Sequence, residues 1–245
     1  MNKRLTMFGV LVLLSCAALA HASGAGPGVG ADEALSLLKE GNARFVSGQM
    51  IHPRQDAARR EQTAAGQNPF ATVIGCSDSR DVVEQLFDQG VGDLFTIRVA
   101  GNPAHADVAG TAEYGAEHLG VHLLVVLGHA KCGAVVAAVA SVAEGKKAGG
   151  NIDFLIAPIL PAAAKAKHDF PELSGDALVE KAVTYNVWQS IDDLFRQSPI
   201  LRGLVKEGKL TVVGAVYDIA TGQVNWLGAH PEQARLLAYA SGPDH

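Results

Sequence analysis

The sequence is short of cysteine, of net charge and of long apolar runs, and each shortage narrows what the chain can be. Three cysteines occur in 245 residues, so at most one intramolecular disulfide can form. Charged residues make up 18% and the net charge is -5. This balance argues against nucleic acid and acidic membrane surfaces as partners. No apolar run is long enough to span a bilayer. There is no internal repeat and no low-complexity segment beyond one short glycine tract. What remains is a hydrophobic content of 48%, which describes a soluble globular core and not a disordered chain.

Residues 1–22 read as a signal peptide. Lys3 and Arg4 form a basic start, Met7 to Leu14 an apolar stretch, and Ala20-His21-Ala22 a small-x-small cleavage site before Ser23. An uncleaved anchor is one alternative. Lipoprotein processing at Cys16 is another, but Leu14 is a poor fit two residues before it. The expectation is a periplasmic or secreted protein with no membrane contact after cleavage. Residues 23–30 are a glycine-rich lead-in that does not match a nucleotide-binding loop and follows no strand. Residues 31–245 contain no linker and read as one domain.

Within that domain, apolar runs alternate with helical periodicity. Ala31 to Val46 reads as an amphipathic N-terminal arm capped by Asp32, and Gln55 to Ala65 as a surface helix. Strands are expected at Phe70 to Ile74, Leu94 to Val99, Leu123 to Leu127 and Leu210 to Tyr217, with Gln223 to Leu227 as an edge hairpin strand. Helices are expected at Asp81 to Gln89, Asp107 to His118, Cys132 to Glu144 and Asp176 to Gln197, at Ile152 to His168 broken by Pro158 and Pro161, and at Pro231 to Tyr239. The fold class is therefore α/β. It is a single domain with a central, mostly parallel sheet, one antiparallel edge strand and helices on both faces.

Chemistry concentrates at two strand ends. Cys76-Ser77-Asp78-Ser79-Arg80 follows the first strand, and His129-Ala130-Lys131-Cys132 follows the third. Ligands of open α/β sheets gather outside the carboxyl ends of strands. Two thiols and an imidazole are three of the four ligands of a tetrahedral zinc site. His129 and Cys132, three apart at a helix entry, are expected on one helix face, where the helix N-terminus favours the Cys132 thiolate. A disulfide between Cys76 and Cys132 is the competing reading in an oxidising compartment. It leaves the neighbouring histidine, aspartate and arginine without a purpose. Asp78 can fill the fourth metal position and close the site. Alternatively, Arg80 can hold Asp78 off the metal, leaving a water that zinc ionises near neutral pH and that Asp78 orients.

These blocks, with Arg98-Val99-Ala100-Gly101-Asn102 and Gly128 to Gly133, resemble the β-class carbonic anhydrases. The resemblance covers about residues 31 to 230. It implies one Zn2+ per chain on Cys76, His129 and Cys132, with Asp78 as a ligand only in a closed state. It implies hydration of carbon dioxide to bicarbonate and a proton by a hydroxide that Asp78, paired with Arg80, orients. Gln67 and Gly133 are the implied substrate contacts. A homodimer or dimer of dimers is implied, built through the N-terminal helix and the sheet edge. A regulated subgroup carries a second bicarbonate pocket with a tryptophan where this chain has Val73. Arg98 and Tyr114 match that pocket without being specific to it, so no such pocket is expected. Hydrolysis of carbon disulfide or carbonyl sulfide, and a non-catalytic zinc module, are the competing functions. His118 and His122 flank the third strand as surface histidines or proton shuttles.

Overall fold

The computed structural model describes residues 28–239; the expected signal peptide, with the rest of residues 1–27, lies outside the described residues. Five strands form one sheet: β1 (Ala71–Gly75), β2 (Leu94–Arg98), β3 (Leu123–His129), β4 (Thr211–Tyr217) and β5 (Val224–Gly228). Their spatial order is β2-β1-β3-β4-β5. β1 to β4 are parallel, and β5 lies antiparallel to β4 at one edge, as expected. From β1 the chain runs outward to β2, then crosses back to place β3 on the other side of β1. Strand order reverses there, so a crevice opens beyond the carboxyl ends of β1 and β3.

Ten α-helices surround the sheet among the described residues: α1 (Ala31–Ser47), α2 (Ala57–Thr63), α3 (Val83–Leu86), α4 (Ala106–His118), α5 (Gly133–Glu144), α6 (Gly150–Ile156), α7 (Leu160–Asp169), α8 (Gly175–Gln197), α9 (Pro199–Lys206) and α10 (Gln233–Leu237). The run Leu123–Leu127 is buried throughout because the sheet is covered on both faces. Leu123, Val125 and Leu127 pack with Ala34 and Leu38 of α1. Leu124 and Val126 pack with Val108 of α4 and with Val187 and Ile191 of α8. Each such side chain contributes about 1.5–3 kcal/mol on full burial. Cys76 and Cys132 lie in a third cluster with residues of α5, α7 and α8.

Close approach of α8 depends on small residues in the strands beneath it. A Cβ at Gly128 would lie 2.8 Å from Val187, and one at Gly214 2.8 Å from the same side chain. The helix therefore rides directly on β3 and β4, which brings its polar residues Asn186 and Ser190 to the crevice. The N-terminal arm packs on its own sheet. Buried Asn42 of α1 donates to Leu86 O (3.3 Å) and Gly222 O (2.9 Å), and its Oδ1 accepts the Val224 N–H (3.0 Å). That one side chain ties the arm to α3 and to the β4–β5 hairpin.

Several local expectations change. Gly30, not Asp32, is the N-cap of α1; Asp32 sits inside the first turn, where its charge still suits the helix dipole. The breaks expected at Pro158 and Pro161 are present. Lacking N–H groups, the two prolines divide the helix into α6, a 3-10 turn at Ala157–Ile159 and α7. α9 is not anticipated, although its signal is present: Ser198 Oγ accepts the Leu201 N–H at 3.0 Å and Pro199 opens the helix. The last helix is only Gln233–Leu237, so Pro231 precedes it instead of starting it. No helix of the described residues is long and apolar enough to cross a membrane.

Candidate metal centre

β1 ends at Gly75, and the next residue is Cys76. β3 extends two residues past its apolar run, so His129 is the last residue of a strand and not part of a helix entry. Cys132 is the N-cap of α5. Between them Lys131 adopts φ 58°, and this left-handed residue turns the chain so that residues 129 and 132 meet from different elements. His129 and Cys132 therefore meet through strand-end and turn geometry, not by sharing a helix face.

One ligand atom each from Cys76, His129 and Cys132 lies within 4.8 Å of the other two. Tetrahedral zinc with sulfur ligands about 2.3 Å away sets sulfur atoms roughly 3.8 Å apart, so the set is of the right size. Both cysteines are free thiols and all three residues are buried. The disulfide reading fails. His129 Nδ1 lies 2.9 Å from Ala130 O, which places the proton on Nδ1 and the lone pair on Nε2. That Nε2 is buried with no hydrogen-bond partner. An orphaned imidazole nitrogen facing two sulfurs is what a metal-binding set requires.

The thiols share a single ionisation. A hydrogen bond from Cys132 pushes Cys76 down to about 4, while the same pairing, with burial, pushes Cys132 far up. The Val135 and Ala134 N–H groups at the start of α5 pull the Cys132 thiol down against that rise, as its place at a helix entry leads one to expect. A bound dication is what would let both sulfurs lose their protons. Cys76 Sγ also accepts the Gly101 N–H (3.2 Å) and the Asp78 N–H (3.4 Å).

Asp78 is held by Arg80. Arg80 Nε donates to Oδ1 (2.9 Å), Nη2 to Oδ2 (2.7 Å), and the Arg80 N–H to Oδ1 (2.9 Å). The guanidinium keeps the Asp78 carboxyl well below the usual carboxylate range. Asp78 Oδ2 lies 3.9 Å from His129 Nε2, beside the ligand set. Arg98 braces the same loop by donating to Cys76 O (2.9 Å) and Asp78 O (2.7 Å).

A family model for carbonic anhydrase matches residues 71–224, which contain all of these groups. The chain belongs to the carbonic anhydrase family. Among its relatives are carbonic anhydrase 2 of Mycobacterium tuberculosis, 37% identical over 190 residues (78% of this chain, 89% of that one), and the carbonic anhydrase of Mycolicibacterium smegmatis, 38% identical over 192 residues (78% and 90%). Among solved structures, the β-carbonic anhydrase CafA of Aspergillus fumigatus superposes with a TM-score of 0.66 at 30% identity, covering 84% of this chain and 94% of that one. The Coccomyxa β-carbonic anhydrase, solved with acetazolamide, gives 0.63 at 30% identity, covering 79% and 86%. The β class follows from these similarities.

Within this carbonic anhydrase fold, the residues expected at the site do not all converge. Gly133 starts α5 next to Cys132, exposed, with no atom within 4 Å of a would-be Cβ. Gln67 is exposed in the loop before β1. The cysteines lie beyond the other end of that five-residue strand, which is about 16 Å long. Within one chain Gln67 does not reach the cluster. His118 is the last residue of α4, beside Tyr114, and His122 Nδ1 lies 2.8 Å from Lys209 O before β3; neither approaches the crevice.

Two α8 side chains with no motif of their own hold the loop carrying Gly101. Asn186 Nδ2 donates to Gly101 O (2.7 Å) and Ser190 Oγ to Asn102 O (2.9 Å), both buried. Their only advance signal is a polar residue on the inward stripe of an apolar helix. Gly101 has φ 78°, and a Cβ there would sit 2.6 Å from Ile159 and 2.8 Å from Ala134. Gly101→Ala is expected to lower unfolding stability by about 1–3 kcal/mol in urea titration and to weaken metal retention through the displaced N–H.

Proposed function

We propose that Cys76, His129 and Cys132 hold one zinc ion and that the chain interconverts carbon dioxide and water with bicarbonate and a proton. The observation that carries this reading is the pairing of three convergent soft and borderline donors with a carboxylate restrained beside them by Arg80. Bound there, zinc supplies a Lewis acid that lowers the pKa of water to about 7. The chain supplies the rest. Arg80 keeps Asp78 ionised and keeps its oxygens from the fourth ligand position. Asp78 is then an acceptor that fixes the direction of the attacking water's proton, so a lone pair points at the substrate carbon. Gly133, exposed on the first turn of α5 beside Cys132, is the proposed N–H donor to a developing carboxylate oxygen.

Stopped-flow hydration of carbon dioxide on metal-quantified protein tests the proposal. About one zinc per chain and rapid acidification are expected. Zinc with no turnover above pH 8 would favour a non-catalytic zinc module, and faster turnover of carbonyl sulfide or carbon disulfide would reassign the substrate.

Export is supported by the basic start, apolar stretch and cleavage pattern of residues 1–22; fractionation of the native host should find the processed chain outside the cytoplasm. A homodimer or dimer of dimers through the sheet edge is supported by β2, which has a partner on one side only; light scattering should give two or four times the chain mass. Absence of a second bicarbonate pocket is supported by three placements. Val73 is buried toward α1, Arg98 is engaged on the Cys76 loop, and Tyr114 lies on the surface against Phe95 and His118.

A further inference from the structure

Asp81 is buried to 1% exposure directly behind the first cysteine, and nothing in the reaction described above uses it. Its Oδ2 accepts the Cys76 N–H at 2.8 Å, while its Oδ1 is buried without a partner. Its own N–H donates to Asp78 O at 3.0 Å, closing the turn 78–81. Arg98 holds the other side of the same peptide through Cys76 O and Asp78 O. Cys76 therefore has its N–H tied by one charged side chain and its carbonyl by another. Room for the carboxylate exists because residue 75 is glycine: a Cβ there would lie 3.0 Å from Asp81 Oδ2. A buried carboxylate with one oxygen unpaired costs stability wherever it is kept for packing alone. A leucine or valine would remove that oxygen but leave the Cys76 N–H without its acceptor.

We propose that Asp81 is a positioning residue for the metal centre, which sets the Cys76 sulfur in place by accepting the Cys76 main-chain N–H. The first cysteine follows the strand end immediately, and no helix or strand hydrogen bond fixes its amide. The carboxylate takes the part that a ladder partner takes elsewhere in β1, and orients the Cα–Cβ bond toward His129 and Cys132. Partners of this kind, one bond removed from a ligand, change metal affinity by roughly 10- to 100-fold when lost.

The inference rests on reading the cluster as a zinc site, and the test separates the two. Zinc affinity is measured at pH 8 by competition with a chromophoric chelator, and the ligand field is read from the visible absorption of the Co(II)-substituted protein. If the native chain binds neither ion, the zinc reading itself fails. If it binds, Asp81→Ala is expected to bind zinc roughly 10- to 100-fold more weakly, with a shifted Co(II) spectrum. Asp81→Asn keeps an acceptor oxygen at the same place and is expected to recover the native spectrum and an affinity within about threefold of native. Asp81→Leu, which fills the volume without an acceptor, is expected to stay as impaired as Asp81→Ala, whereas a packing role alone would let it recover. Gly75→Ala, which presses a methyl against the same carboxylate, is expected to shift the Co(II) spectrum in the direction of Asp81→Ala and serves in its place if that variant does not fold. Native affinity and spectrum in Asp81→Ala, or in Gly75→Ala where it is the substitute, would overturn the proposal. So would an Asp81→Asn as impaired as Asp81→Ala.

Discussion

Cys76→Ser is expected to abolish zinc binding and carbon dioxide hydration together while leaving the fold in place. The main chain at residue 76 is held by Asp81 and Arg98 through its own N–H and carbonyl, so the loop keeps its anchors when the sulfur goes. A serine hydroxyl does not ionise at neutral pH. The remaining imidazole and single thiol make a two-donor site in place of a three-donor one. The loss of affinity should exceed the roughly 100-fold upper range for removing an outer partner. Metal content of the purified variant, by atomic emission, should fall to background. A second reading comes from stability. At free zinc a thousandfold above its dissociation constant, the native chain gains about 4 kcal/mol from bound metal, and the variant should gain none. Full activity in Cys76→Ser would remove the basis of the metal assignment.

Asp78→Ala should do the opposite to the metal: zinc stays near one per chain and the rate falls by about 10²–10³-fold. Asp78 is not one of the three converging donors, and its bonds in the structure go to Arg80. What disappears is the acceptor that orients the nucleophile. Arg80→Ala reaches a similar loss of rate by a different route. Released from the guanidinium, the carboxylate lies 3.9 Å from His129 Nε2 and is free to take the fourth position itself. Zinc should then be held more tightly than in the native chain even as hydration slows. The double variant should be about as slow as either single one, because the two residues act as a unit. Hydration rates and chelator competition on the four proteins distinguish this from an Arg80 that merely decorates the surface. An Asp78→Ala chain that loses its zinc would make Asp78 a ligand and the site a closed one.

Much of the architecture was legible in the pattern of residues. Unbroken apolar runs such as Leu123–Leu127 announce strands covered on both faces, and their alternation with helical periodicity announces a parallel sheet. The two thiols, the imidazole and the Asp–Arg pair were readable as chemistry because few other roles call for those residue types directly after buried strands. Sequence pattern and structure part where a local signal competes with a long-range one. His129 reads as a helix entry because Cys132 follows three residues on, yet pairing with Tyr217 of β4 extends β3 through it. Asp81 reads as the start of a helix, whereas the tertiary structure turns it inward onto the Cys76 amide. Gln67 lies at the wrong end of β1 for a site in its own chain, a matter of strand direction that residue type does not reveal.

By itself the sequence determined the donors, their places at strand ends and the class of fold, because hydrophobic periodicity and side-chain chemistry are local properties. Only the tertiary structure decided that β1 and β3 are neighbours, and hence that Cys76 meets His129 and Cys132. It also decided that Asp78 rests on Arg80 and that α8 sits close enough to hold the Gly101 loop. Those outcomes depend on sheet order and on backbone approach distances, which arise from contacts between residues far apart in the chain.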